Sequence, residues 1–380
     1  MNKINVEEYL THLEYLVNID SGSHHPEGVS MIANFFHKRY EKIGWTVLQK
    51  KWNDKVAPCL EITNTNQEQY DILLIGHMDT VFPVGTAQAR PFAIRDDRAY
   101  GPGVNDMKSG CLLMYYALRS LHEQKLLDDI LICVAMNSDE EISSIYSRSW
   151  IEGLAQKAKY AFILEPARPN GALVNGRKGL GRFNLTFKGL AAHAGVEPEK
   201  GINAVNEMAH WITVLHGLTD TLAGTNVNVG LVAGGIAANV VADHAEAKVD
   251  LRFRTMAEYQ RIADKVYELQ QCPVTPGIHV QVEGMVTRPP MNLSEQTKAL
   301  CETVHAISEE IAVPITWTQT GGGSDGNFTA YHGVPTIDGL GPVGGGSHSI
   351  SEYLEIASID PRFRLLSNII LRIGREESRK

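Results

Sequence analysis

Short apolar runs, each followed by acidic or histidine side chains, constrain this 380-residue chain more than any other feature. The side chains in question are His77 and Asp79 after residues 71–76, Glu140 and Glu141 after residues 130–136, and Glu165 after residues 160–164. In open α/β sheets the carboxyl ends of the strands line the crevice where ligands bind. We therefore expect these side chains to share one site, together with Asp106 and His348, and we expect that site to hold metal, as two zinc ions.

Helix and strand patterns alternate from residue 5 to about residue 176. The patterns predict helices at 29–41 and 107–124, a strand at 45–49, and strands that end at residues 76, 136 and 164. Such alternation is typical of an α/β domain whose mixed central sheet carries helices on both faces.

A second block follows with its own order of elements. The predicted elements are a strand at 182–188, a helix at 203–215, strands at 226–232 and 245–254, a helix at 256–270 and a strand at 278–283. This β-α-β-β-α-β order is that of the ferredoxin-like unit. Glycine-rich residues 171–181 and the segment 288–290 predict hinges on either side.

The remaining patterns, a helix at 294–309, a strand at 315–320 and a helix at 361–373, most simply complete the first domain. We therefore predict a catalytic domain formed by residues 1–177 and 289–380, with residues 178–288 inserted as a lid.

Composition excludes several classes of partner. The net charge of −9 and the lack of a basic cluster argue against nucleic acid and acidic membranes, which are held by concentrated positive charge. The sequence has no signal-type or membrane-length apolar run, so we predict a cytoplasmic protein. Five cysteines lack C-x-x-C spacing, and Cys111 and Cys133 lie in apolar runs, which predicts buried free thiols.

The spacing of the acidic residues suggests separate roles. His77 and Asp79 would share one face of a strand, so that the carboxylate can orient the imidazole. Glu140 and Glu141 would point in opposite directions in an extended chain, which suits one metal ligand and one general base. Asp106 is either a helix N-cap or a carboxylate that bridges two cations.

Other residues suggest how a substrate is held. His193, in a turn of small residues, is either an ordinary turn histidine or a donor to a developing oxyanion. Asn239 and Arg288 are candidates for binding a carboxylate, the arginine through its bidentate fork.

A rival mechanism is carried by the segment 322–326, which fits the G-x-S-x-G pattern around Ser324. Asp338 and His348 follow it in the chain order of the α/β-hydrolases. A serine hydrolase would leave the acidic residues after the apolar runs without a role.

Several motifs together resemble the dinuclear zinc exopeptidases and deacylases. That family includes glutamate carboxypeptidase, acetylornithine deacetylase, succinyl-diaminopimelate desuccinylase and aminoacylase. The matching stretches occur in family order over nearly the whole chain, and they are GHMDTVF (76–82), GPGVNDMK (101–108), NSDEE (137–141), EP (165–166), AHAG (192–195), NVV (239–241), RP (288–289), GGGSD (321–325) and His348. The residues and spacing of these stretches are most similar to those of the glutamate carboxypeptidase branch.

The resemblance implies a set of metal ligands. His77, Asp106 and Glu165 would bind one zinc ion, and Asp106, Glu141 and His348 would bind the other, with cobalt or manganese as substitutes. Glu140 would be the general base, and Asp79 would orient His77.

The resemblance also implies a homodimer formed through the lid, in which His193 reaches the partner's active site. The substrate carboxylate would be taken by Asn239 and Arg288, close to a loop formed by Gly321, Gly322 and Gly323. The segment around Arg177 is more similar to that of the desuccinylase and deacetylase branch, so the preferred acyl group stays open.

The implied activity is hydrolysis of an amide bond next to a free carboxylate in a small N-acyl amino acid or short peptide, releasing an amino acid. The alternatives are an N-acyl-amino-acid deacylase of the acetylornithine or succinyl-diaminopimelate type, the serine hydrolase, and a metal-free paralogue that only binds an amino acid.

Overall fold

A computed structural model describes residues 3–378 of the chain. The strands are β1 (Thr46–Lys50), β2 (Cys59–Thr63), β3 (Tyr70–His77), β4 (Ala93–Arg95), β5 (Arg98–Tyr100), β6 (Ile132–Asn137), β7 (Ala158–Ile163), β8 (Leu173–Arg177), β9 (Gly179–Lys188), β10 (Asn226–Gly234), β11 (His244–Phe253), β12 (His279–Arg288), β13 (Trp317–Thr320), β14 (Thr336–Ile337), β15 (Gly344–Gly345) and β16 (Tyr353–Glu355). The α-helices are α1 (Val6–Val17), α2 (Pro26–Lys42), α3 (Thr86–Ala89), α4 (Lys108–Glu123), α5 (Arg148–Ala155), α6 (Ala204–His216), α7 (Met256–Gln271), α8 (Glu295–Glu310), α9 (Gly326–Tyr331) and α10 (Ile359–Ser378).

Contacts divide the described residues into two compact units. The first unit comprises the residues up to Gly176, Met291–Thr320, and the residues from Ser324 onward. The second comprises Arg177–Pro290 and Gly321–Gly323. The predicted boundaries had assigned residues 321–323 to the first domain, whereas their contacts group them with the second unit.

The first unit is built around a six-stranded sheet in the order β1-β2-β6-β3-β7-β14. Strands β6, β3, β7 and β14 are parallel to one another, whereas β2 is antiparallel to both of its neighbours, β1 and β6. The sheet is therefore mixed, which confirms the predicted fold class.

Both faces of this sheet are covered, and β3 shows why. Ile72 and Leu74 belong to a core with α1, α4 and α10, whereas Leu73 and Ile75 belong to a second core with α5 and α9. Successive side chains of a strand point to opposite faces, so a strand between two helical layers is a continuous apolar run. The burial of all eight residues of β3 follows from this.

Two small sheets extend the first unit. Strands β15, β16, β5 and β4 form an antiparallel sheet in that order, and β13 pairs with β8. The turn between β15 and β16 carries His348.

The second unit is a four-stranded antiparallel sheet in the order β10-β11-β9-β12, with α6 and α7 packed against it. Its core includes Phe183, Phe187, Trp211 and Phe253, all fully buried. The element order is the predicted β-α-β-β-α-β order.

Most predicted elements are confirmed with small shifts in their ends. Two segments differ. Residues 171–181, predicted as a glycine-rich hinge, are largely extended, since they contain β8 and the start of β9. Glu140 and Glu141, predicted in extended chain, lie in a 3₁₀ helix, Glu140–Ile142.

Cys111 and Cys133 are buried and free, as predicted, and the remaining three cysteines are also unbridged. None of the helices among residues 3–378 combines the length and apolar character needed to cross a membrane.

Candidate metal centre

The carboxyl ends of three neighbouring parallel strands carry the predicted ligands. His77 is the last residue of β3, Glu140 and Glu141 begin the turn after β6, and Glu165 follows β7. Because β6, β3 and β7 are adjacent and parallel, their carboxyl ends lie at the same edge of the sheet. Asp106 joins them from the loop before α4.

Asp106 lies between two histidines. Its Oδ1 is 3.2 Å from Nε2 of His77, and its Oδ2 is 3.4 Å from Nε2 of His348. The side chain does not cap helix α4, since Met107 occupies the N-cap position and Asp106 faces the histidines. A carboxylate with one oxygen toward each imidazole has the arrangement expected of a bridging ligand.

The remaining carboxylates complete two groups. Glu165 Oε1 lies 3.7 Å from Nε2 of His77, and Glu141 Oε2 lies 3.1 Å from Nε2 of His348. Ligand-type atoms of His77, Asp106 and Glu141 lie within 4.8 Å of one another, and so do those of His77, Glu140 and Glu165. The structure thus brings together all five predicted ligands, and it places Glu140 close enough to be a sixth.

Asp79 lies beneath the glutamate turn. Its carboxylate accepts the hydroxyl of Ser23 at 2.6 Å and the backbone N–H groups of Glu140 and Glu141 at 3.2 Å each. Asp79 is fully buried. The carboxylate therefore fixes the turn that carries both glutamates, a role that was not predicted.

The imidazole of His77 is oriented mainly by the backbone. Its Nδ1 lies 3.0 Å from the carbonyl oxygen of Asp79 and 3.4 Å from Oδ1 of the same residue. Both oxygens are acceptors, so the proton belongs on Nδ1 and Nε2 faces the carboxylates, as a metal-binding histidine requires.

The electrostatics of the site reflect crowding of buried acids. Burial raises the pKa of Glu165 well above its usual value, and the charge of Asp106 adds to this. Burial also raises the pKa of Glu141, although its contact with His348 opposes the shift. Hydrogen bonds with Asp106 and Glu141 raise the pKa of His348 to about 11. Such a cluster has more negative charge than its two histidines can balance, and this favours a bound cation.

The donor set fits divalent metal. Oε1 of Glu141 is buried and has no hydrogen-bond partner among the described residues. A buried carboxylate oxygen left in this way is costly unless a cation or proton satisfies it. Imidazole nitrogen and carboxylate oxygen are ligands that zinc accepts, and two sites can be formed from the residues present.

Glu352 supports the loop that carries Asp106. Its Oε1 accepts the N–H groups of Asn105 and Asp106, and its Oε2 accepts that of Gly103, all at 2.9 Å. Burial raises the pKa of Glu352 to about 7, although these hydrogen bonds act to lower it. Sequence reasoning missed this residue, and its place four positions after His348 was the only available signal.

A second buried network supports the turn after β6. Asp325 accepts hydrogen bonds from the Asn137 amide at 2.7 Å and the Ser144 hydroxyl at 2.6 Å. Burial raises the pKa of Asp139 to about 6 while its carboxylate accepts the N–H groups of Tyr146 and Ser147. Asn137, Asp139 and Asp325 lie in the matching stretches 137–141 and 321–325, but no role was predicted for any of them, nor for Ser144.

Ser324 is buried in a hydrogen-bond network rather than exposed as a nucleophile would be. Its side chain is fully buried, its hydroxyl donates to Asp338, and its oxygen accepts the N–H of Gly326. His348 contacts Asp106 and Glu141 instead. A nucleophile needs access and an adjacent base, so the geometry disfavours the serine mechanism.

In the second unit, three arginines surround the triglycine loop. Arg177 donates to the carbonyls of Gly322 and Gly323 at 3.1 and 3.3 Å, and Arg252 donates to that of Gly321 at 3.2 Å. A Cβ on Gly323 would meet the Cδ of Arg288 at 2.6 Å, so the loop packs directly on that buried arginine. Arg252 was not predicted.

His193 and Asn239 lie close together in the second unit. The N–H of Ala194 donates to the carbonyl of Asn239 at 2.9 Å, and His193 forms a β-bridge with Val240. His193 and Asn239 are both exposed.

Comparison with known proteins identifies relatives over almost the full length. The sequence profile of peptidase family M20/M25/M40 matches residues 73–372. Carboxypeptidase G2 of Pseudomonas sp. (strain RS-16) is 30% identical over 366 residues, covering 95% of this chain and 88% of the relative. Succinyl-diaminopimelate desuccinylase of Thioalkalivibrio sulfidiphilus is 25% identical over 315 residues, covering 78% of this chain and 82% of the relative.

Solved structures share the fold. Aminopeptidase PepT from Bacillus cereus superposes with a TM-score of 0.78 at 25% identity, covering 97% of this chain and 99% of the other. The M20 family metallo-carboxypeptidase Sso-CP2 from Sulfolobus solfataricus gives a TM-score of 0.77 at 18% identity, with the same coverage of both chains.

Proposed function

Because this chain belongs to peptidase family M20/M25/M40, whose members hydrolyse amide bonds, we propose that it cleaves an amide bond next to a free carboxylate and releases an amino acid. The observation that carries the proposal is Asp106, with one oxygen toward His77 and the other toward His348. In this proposal the Asp106 carboxylate would be the bridge of a dinuclear metal site.

Two zinc ions fit the residues present. His77, Asp106 and Glu165 would hold one, and Asp106, Glu141 and His348 would hold the other. The cations supply a Lewis acid for the carbonyl and make water a stronger acid.

Glu140 is the proposed general base. It has a ligand-type oxygen within 4.8 Å of those of His77 and Glu165, and it lies in a turn whose N–H groups are held by Asp79. Its carboxylate takes a proton from the attacking water and returns it to the leaving nitrogen. Glu141, with its contact to His348, is the better ligand of the pair.

The second unit would supply the substrate contacts. Arg288 and Asn239 take the free carboxylate, with Arg177 and the Gly321–Gly323 loop alongside, and His193 donates to the oxyanion. The domain insertion would serve as a lid and as the dimer interface of a cytoplasmic enzyme. Exposed Leu231, Val232 and Ile236, at or beside the edge strand β10, support the homodimer.

The relatives leave two specificities in view. Similarity to carboxypeptidase G2 suggests that this chain releases a C-terminal amino acid. Similarity to the desuccinylase suggests instead that it removes a carboxylated acyl group. A non-catalytic amino-acid binder would have no need for the full set of ligands and a base, and all of them are present.

A panel of dipeptides and N-acyl amino acids tests the proposal. Chelation followed by dialysis should abolish release of free amino acid, and added zinc or cobalt should restore it. Metal content measured by mass spectrometry should rise to two ions per chain in step with activity. Activity that survives verified removal of metal, or fluorophosphonate labelling of Ser324, would overturn the metal mechanism.

A further inference from the structure

An apolar cavity opens beside the candidate metal centre, within the first unit. It has a volume of about 400 Å³, and Glu141 is one of the residues that line it. Its apolar wall is formed by Val81, Phe82, Pro83, Val84 and Ile142. A volume of this order is typical of small-molecule sites. Because Glu141 is a proposed metal ligand, the cavity would adjoin the place where an amide carbonyl reacts.

Backbone hydrogen bonds hold the wall of the cavity in place. Gly22 and Thr80 form a β-bridge, and the N–H of Ser23 donates to the carbonyl of Thr80 at 3.2 Å. Asp20 accepts the N–H groups of Gly85 and Ala87 at 2.7 Å each, which ties down the end of the apolar segment. Val81 and Val84 nevertheless keep 41% and 64% exposure, so apolar surface is held open to solvent on a fixed frame.

The charges around the cavity are unsuited to an anion. Among the described residues, its ionisable lining consists of His24, His25 and Glu141, with no lysine or arginine. Arg90 touches the ring of Phe82, with its guanidinium carbon 4.9 Å from the ring centre, but it donates to the carbonyls of Ser349 and Ile350 and does not line the cavity. A second carboxylate placed here would meet Glu141, apolar carbon and two imidazoles, of which that of His25 already contacts Glu27 at 3.2 Å. With no lysine or arginine to pair with it, burying that charge is costly.

We propose that this cavity receives the acyl side of the substrate, and that the preferred acyl group is uncharged and apolar rather than carboxylated. The inference rests on the proposed function, because it takes Glu141 to lie at the reacting centre. It separates the two specificities that the relatives leave in view, since a succinyl group carries a negative charge at its far end.

The test uses three derivatives of whichever amino acid the dipeptide panel shows to be released fastest. These are the N-acetyl, N-hexanoyl and N-adipoyl compounds, and the last two have the same chain length and differ only in a terminal carboxylate. For the zinc-loaded enzyme, kcat/KM should be higher for hexanoyl than for adipoyl by about tenfold or more. Val84→Lys should lower that ratio by about tenfold or more, because it removes apolar surface and adds a cation at the cavity. Leu48→Lys, an exposed position on β1 outside the cavity, should leave the ratio unchanged.

The outcomes separate the two proposals. Cleavage of all three compounds with adipoyl equal to or better than hexanoyl would overturn the acyl cavity and leave the amide-hydrolase function standing. The same holds if Val84→Lys and Leu48→Lys shift the ratio alike. If the metal-loaded enzyme cleaves none of the dipeptides or N-acyl compounds, the proposed function itself fails, and the cavity loses its assigned role with it.

Discussion

Glu140 and Glu141 are neighbours in sequence with different surroundings. Glu141 Oε2 contacts His348, and its Oε1 is a buried oxygen with no partner among the described residues. Glu140 has a ligand-type oxygen within 4.8 Å of His77 and Glu165, so distance alone permits either glutamate to bind metal. What distinguishes them is that Glu141 contacts His348, the histidine of the second proposed metal group, at 3.1 Å.

Replacing Glu140 by glutamine tests this assignment. Glu140→Gln should retain both metal ions and lose about 10²–10⁴-fold in kcat, because a positioned base contributes that much. Glu141→Gln, the matched control, should lose metal instead. Metal content by mass spectrometry and single-turnover rates would be measured on both variants. Loss of metal from Glu140→Gln with retention in Glu141→Gln would mean that the two roles are reversed.

His77, Glu140, Glu141 and Glu165 were predictable because each lies at or after the end of a buried strand, whereas the ligand roles of Asp106 and His348 rested on the family resemblance. An acid or histidine directly after a buried strand has few structural roles, and five such positions converge on one sheet edge. Ser23 and Glu352 were not predictable in this way. Their partners are 56 residues or more away in sequence, and hydrogen bonds across such separations depend on tertiary packing that no local pattern encodes.

At the scale of elements, most long helices and long buried strands were predicted, whereas α1, β2 and the shortest strands were not. Strands β4, β5, β15 and β16 contain two or three residues each, too few to show a period. The 3₁₀ turn at Glu140 is stabilised by the distant carboxylate of Asp79, so extended chain was the natural expectation there. The small sheet and this turn nevertheless position two of the proposed ligands, His348 and Glu141.

The loop between β5 and α4 depends on Glu352 for its conformation. Both oxygens of this carboxylate accept backbone N–H groups, so Glu352→Gln would set an amide NH₂ against at least one donor. We expect metal affinity or activity to fall about 10–100-fold, as for other groups that orient ligands. We expect a loss of about 1–3 kcal/mol in the free energy of unfolding, from the unsatisfied buried donor.

Chelator competition would give the metal affinity, and denaturant unfolding of the metal-free protein would give the stability. Glu355→Gln is the matched control, because Glu355 lies on β16 near Glu352 but pairs with the partly exposed Arg98. Unchanged metal affinity in Glu352→Gln, or an equal loss in the control, would show that the loop holds Asp106 without this anchor.

At the scale of the whole molecule, the proposed ligands and the proposed substrate contacts belong to different units. Every proposed metal ligand lies in the first unit, whereas His193, Asn239 and Arg288 lie in the second. The second unit also presents exposed Leu231, Val232 and Met285 on its two edge strands, β10 and β12. Such unpaired apolar edges are typical of surfaces that meet another chain. A homodimer would allow one chain to complete the site of the other.

A mixing experiment tests whether the site is shared. His193→Ala should lower kcat by about 10²–10³-fold with metal retained, the cost of one oxyanion donor. Glu140→Gln is inactive for a different reason, on the other unit. If His193 serves the partner's metal centre, an equal mixture after subunit exchange should recover roughly a quarter of wild-type activity, since half of the dimers are mixed and each has one intact site of two. Exchange would be verified by native mass spectrometry of tagged chains. If the protein is a fully active monomer, or if the mixtures stay inactive after proven exchange, the shared site is wrong. His193 would then act in its own chain's site or outside catalysis.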